Sequence, residues 1–211
     1  MKILHLLGSA FADGLSHGEM LTVTGLNTDR LMMWYKLKLL RSSEFTLEIG
    51  RGNRRRYDVH AARLLLQVRI LADAGLKIED ALQLGYRLRH LATLRLGADG
   101  LQQTPSDLKR ELENEQESRI AGISDSGFGL AAIVPRTEGS VVLEPMVNKE
   151  HVSKRFMLLP IPSVATEAQI RRDMRKAGVP YLILLDYFGS YVDFLGRLEA
   201  VHGARQRVGK S

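Results

Sequence analysis

The chain has 211 residues, of which 45% are hydrophobic and 26% charged, with a net charge of +6 and no cysteine. Such a chain suits one large or two small globular domains, not a disordered or membrane-embedded polypeptide, and without cysteine it excludes disulfides and thiolate metal sites, in keeping with a reducing, cytoplasmic setting. The positive excess is N-terminal: residues 1–104 hold 15 Lys and Arg against 10 Asp and Glu, whereas residues 105–211 hold 15 against 14, so the first half is the part suited to a phosphate polymer.

The apolar run Ile3 to Leu7 is broken at Gly8 and Asp13, too early for a secretory leader, and residues 1–14 form a segment of their own. Ser16-His17-Gly18-Glu19 has the spacing of a capping box and opens a short helix that runs to Thr24. Gly25 ends that helix and Asn27 caps the next, two residues later. In this second helix Leu31, Trp34 and Leu37 recur at core spacing, Thr28, Asp29, Met32 and Lys36 face outward, and Arg30 sits at the border.

Phe45 to Ile49 then alternates with period two, Gly50 to Asn53 offers a turn, and Arg54-Arg55-Arg56-Tyr57 returns, which predicts a small β-hairpin. Asp58 caps a helix with apolar positions Ala62, Leu65, Leu66, Ile70 and Leu71, and another helix follows from Ile78 to about Leu96. Gly97 to Ser106 is the boundary candidate, and Asp107 to Ile120 a charged connector helix. Beyond it, Phe128–Val134, Val141–Leu143, Phe156–Ile161 and Tyr181–Leu185 read as strands, with helices over Thr166–Ala177 and Tyr187–Val201. The expected fold class is α+β: a winged helix-turn-helix domain over 15–96, a linker and connector over 97–120, and a small α/β or α+β domain over 121–211.

Gly25-Leu26-Asn27-Thr28-Asp29-Arg30-Leu31-Met32-Met33-Trp34 through Leu39-Leu40, the wing-like Arg54-Arg55-Arg56-Tyr57-Asp58, and Gly75-Leu76-Lys77-Ile78-Glu79-Asp80-Ala81 occur in this order. Together they resemble the MerR family of DNA-binding regulators. Met32 stands where that family often has arginine, Lys38 where it has glycine, and Gly97 and Pro105 interrupt the region equivalent to its dimerisation helix. The resemblance implies a helix whose N-terminus enters the major groove of double-stranded DNA. Arg30 would donate to guanine edges, while Asn27 and Thr28 position on phosphate beside Asp29 and Lys36. Arg51, Arg54, Arg55 and Arg56 would meet adjacent phosphates next to Tyr57, and the edge of Trp34 would reach the backbone as the family's aromatic does.

Other patterns carry less. Ala204 to Ser211 has P-loop-like spacing without the helix that motif requires, and reads as a frayed basic tail. The six histidines show no ligand spacing, Ser106 and Lys109 fit helix capping better than a nucleophile pair, and Glu111, Glu113, Glu115 and Glu117 alternate around a helix. Arg171, Arg172, Arg175 and Lys176 make a basic helix face. The expectation is therefore a noncatalytic transcription regulator without metal or cofactor, paired as a homodimer to lengthen its site, with residues 121–211 open to a protein partner. Two alternatives stand beside it: an enzyme or nucleotide-binding C-terminal domain near Asp186, and a winged helix used for protein interaction.

Overall fold

The computed structural model describes residues 1–36, 46–47, 56–120, 130–135, 156–160, 172, 175 and 183–209, and most of them are helical. In chain order come α1 (Ile3–Leu7), a 3-10 turn (Ser9–Phe11), α2 (His17–Thr24), α3 (Thr28–Lys36), β1 (Thr46–Leu47), β2 (Arg56–Tyr57), α4 (Val59–Asp73), α5 (Ile78–Gln102) and α6 (Pro105–Ile120). They are followed by β3 (Leu130–Pro135), β4 (Phe156–Pro160), β5 (Ile183–Asp186) and α7 (Tyr187–Val208).

Local chemistry accounts for the helix starts. The Asp58 carboxylate accepts the His60 N–H at 2.6 Å and opens α4. Pro105 opens α6, at the helical position where its missing N–H costs nothing, and Thr104 Oγ1 accepts the Asp107 N–H at 3.2 Å. The stretch expected to be a linker is instead largely helical. Gly97 takes φ 61 and ψ −176 inside α5, a conformation that glycine alone adopts cheaply, so the helix kinks there and continues to Gln102.

One hydrophobic cluster joins the two ends of the chain. It runs from Ile3 and Leu6 through the buried faces of α2 to α6, as far as Leu112, and then takes in Tyr187, Phe188, Tyr191, Val192, Phe194, Leu195 and Leu198 of α7. Each such large apolar side chain contributes about 1.5–3 kcal/mol when fully buried, and α7 spends its apolar stripe on α1, α2, α4, α5 and α6. Arg63 of α4 is also inside, only 6% exposed, with its guanidinium over the Tyr191 ring at 4.9 Å and an N–H donated to Thr93 at 2.7 Å. Burial depresses its proton affinity.

This packing corrects the expected fold class. The chain is predominantly helical, not an α+β fold with a winged helix-turn-helix domain followed by an α/β domain. Among the described residues the strands are few and short. The sheet of order β4-β3-β5 is antiparallel, with Ala132 opposite both Leu159 and Leu184, and β1 and β2 pair over two residues each. The physical reason is α7: its apolar face packs mainly on the N-terminal helices, so that among the described residues one hydrophobic cluster includes both Leu6 and Leu198. The expected strand at Val141–Leu143 lies outside the described residues; of the expected helix at Thr166–Ala177, Arg172 and Arg175 are described, both helical and exposed.

Candidate nucleic-acid interface

The capping box forms as its spacing predicts: the Ser16 N–H donates to Glu19 Oε2 at 2.7 Å and the Glu19 N–H to Ser16 Oγ at 3.4 Å. At the other end of α2, Gly25 takes φ 66 and ψ 20, the left-handed turn that suits glycine, and returns its N–H to the Leu21 carbonyl. Arg69 of α4 donates to the Thr24 carbonyl at 2.7 Å, satisfying a helix-end acceptor. Asn27 Oδ1 then accepts the Arg30 N–H at 2.8 Å and starts α3. Two helices thus meet across a turn of three residues.

Leu31 and Trp34 are buried, at 0% and 2% exposure, and anchor α3 to the core. Thr28, Asp29, Met32, Met33 and Lys36 are exposed. Arg30 does not point outward freely: its guanidinium pairs with Asp73 of α4 at 2.5 Å and lies over the Trp34 ring at 5.1 Å. Tyr57 is also interior, 2% exposed, with mutual backbone hydrogen bonds to Leu15 at 2.8 Å and its hydroxyl 3.2 Å from His17 Nδ1. Arg56 faces carboxylates, 3.9 Å from Asp13 and 4.0 Å from Glu19. Arg51, Arg54 and Arg55 lie outside the described residues. Of the residues expected on the interface, the structure gathers Asn27, Thr28, Asp29 and Lys36 on the open side of α3 and turns Trp34 and Tyr57 inward.

Arg205 is the residue that sequence reasoning missed. Residues 204–208 of the expected frayed tail are the end of α7, and there Arg205 donates to both Glu19 oxygens at 2.6 Å, to Asp13 at 2.8 Å and to the Gly14 carbonyl at 2.7 Å, with Phe11 beneath its guanidinium at 4.9 Å. The Arg205 hydrogen bond above all lowers the Glu19 carboxyl from 4.5 to about 2, against burial and with help from Ser16. A signal was present: Tyr191, Leu195, Leu198 and Val201 continue at helical spacing to Arg205.

Near the start of α7, Asp186 accepts the Gly189 N–H at 2.8 Å and acts as the helix cap. Beside Phe188 lies a cavity of about 170 Å³ lined by Arg95, Asp99, Gln103 and Glu111, where Gln103 already donates to Glu111 at 2.7 Å. Among the described residues no group of three or more acidic or histidine side chains converges to hold a metal ion, and no helix is long and apolar enough to cross a membrane. No protein-family model matches the chain, and no curated protein matches it.

Proposed function

We propose that the chain binds duplex DNA through α2 and α3 and acts as a transcription regulator. One observation carries this reading: the Gly25 turn and the Asn27 cap set α3 against the core by Leu31 and Trp34, leaving Thr28, Asp29, Met32, Met33 and Lys36 exposed along its outer side. A helix so mounted enters a major groove N-terminus first. With Arg30 held by Asp73, base contact falls to Asp29, an acceptor for the cytosine amino group, and to the Met32 and Met33 methyls, which suit thymine. Thr28 and Lys36 then serve phosphates, together with Arg51, Arg54 and Arg55. The net charge of +6 and the likeness of residues 25–81 to MerR regulators support the same reading. Pairing of two copies would double the length of DNA read.

A second reading, a protein partner on the same helix, is favoured by the exposure of Met32 and Met33, 39% and 50%. Titration of a nonspecific duplex over a salt series separates the two. DNA binding gives an affinity that falls with salt by about 0.9 in log–log slope per phosphate contact, and Lys36→Ala or the double change Arg54→Ala with Arg55→Ala makes the slope shallower. A flat response in the wild-type chain rejects DNA and leaves the protein partner.

A further inference from the structure

The Gly25 turn is approached from behind by two arginines far apart in the sequence. A Cβ placed on Gly25 would stand 1.9 Å from Arg69 Nη1 and 3.1 Å from Arg197 Nη1, so guanidinium groups from α4 and α7 converge within a few ångströms of a single backbone position. Gly25 itself is exposed and both arginines are half-buried.

The charges there do not balance. Arg69 donates to the Thr24 carbonyl at 2.7 Å and stands 3.5 Å from Asp73, a carboxylate that Arg30 already engages at 2.5 Å. Arg197 has as its hydrogen-bond partner the main-chain oxygen of Asp193, at 3.4 Å. Among the described residues no carboxylate lies within ion-pair distance of Arg197. Arg30 and Arg69 thus share one carboxylate, Asp73, and Arg197 stands beside them with Asp193 acting on it from beyond ion-pair distance, so three guanidinium groups face two carboxylates. Burial first, and then the neighbouring Arg69 charge, makes Arg197 a weaker base than usual, against the Asp193 carboxylate one helical turn away, which acts the other way.

We propose that Arg69 and Arg197 form a phosphate-binding cleft at the Gly25 turn, by which the C-terminal helix holds the backbone of the DNA that α3 enters. The inference rests on the DNA-binding reading above for its source of phosphate. Its chemistry, two guanidinium forks on one tetrahedral anion, applies equally to a free phosphate. Gly25 fits the role because it presents no side chain between the arginines and solvent.

The test compares the wild-type chain with Arg197→Gln, Arg197→Lys and Lys36→Ala in the duplex salt titration, and adds inorganic phosphate at constant ionic strength in a separate experiment. Arg197→Gln is expected to reduce the salt slope by about 0.9, the loss of one phosphate contact, on every duplex sequence alike. Arg197→Lys, which keeps the charge, should retain that slope. An unchanged slope in Arg197→Gln while Lys36→Ala lowers it overturns the cleft and leaves the DNA reading standing. If the wild-type response to salt is flat, the DNA reading fails and inorganic phosphate decides. A shift of the Gly25 and Leu26 amide resonances on adding phosphate to the wild-type chain then supports a free-phosphate site, and unshifted resonances overturn it. The resonance measurement needs no variant, so it holds even if Arg197→Gln does not fold.

Discussion

The contact between Arg205 and Glu19 gives this protein its clearest single-residue dependence on pH. Glu19 is held at a pKa of about 2 against an ordinary 4.5, chiefly by the Arg205 hydrogen bond. A carboxyl depressed on folding stabilises the folded chain above its unfolded pKa and loses that contribution as pH falls from about 4.5 towards about 2. Arg205→Ala removes the paired hydrogen bonds and leaves a half-covered carboxylate, so it is expected to cost about 2–3 kcal/mol near neutral pH. Urea midpoints of the wild-type and Arg205→Ala chains should then draw together across that acid window. A gap that stays constant with pH would show that Arg205 acts through its packing on Phe11 and not through Glu19.

At the scale of elements, the joint between α2 and α3 is the most demanding. Gly25→Ala puts a side chain at a left-handed backbone position, at about 1–2 kcal/mol, and drives it into Arg69 Nη1, 1.9 Å away. The loss should exceed the backbone penalty alone, and Arg69→Ala in the same background should recover part of it, as a double-variant cycle in thermal unfolding can show. Much of this unit was legible locally. The Ser16–Glu19 cap, the Gly25 turn and the Leu31 and Trp34 spacing are short-range patterns, and so are the strands near 130–135 and 156–160. What was not legible depends on distant chain: the Arg30 pairing with Asp73, the inward placement of Tyr57 and the closure of Arg205 on Glu19. Periodicity says that a face is apolar but not which helix, 160 residues away in sequence or next door, will cover it, and the expected α/β domain failed on that point.

For the whole molecule, the decisive fact is a core shared between the first and last helices. Trp34, the one tryptophan in the chain, is buried in α3 and reports on the N-terminal helices by its fluorescence. Leu195 of α7 is fully buried, so Leu195→Ala is expected to cost about 2–5 kcal/mol. In a single cooperative core that loss lowers the Trp34 unfolding midpoint as much as the midpoint of far-ultraviolet circular dichroism. A Trp34 transition that stays in place while the helical signal moves would mean that the two ends fold separately.

The Arg205 clamp on Glu19 closes across 186 residues of chain. During synthesis at about 5–20 residues per second, α2 therefore waits on the order of ten to forty seconds for the helix that packs against it. Until then Glu19 and Phe11 lack Arg205, and the side of α2 that packs on α7 stands open to water. A chain cut short before α7 would carry α2 and its Ser16–Glu19 cap without the helix that braces them.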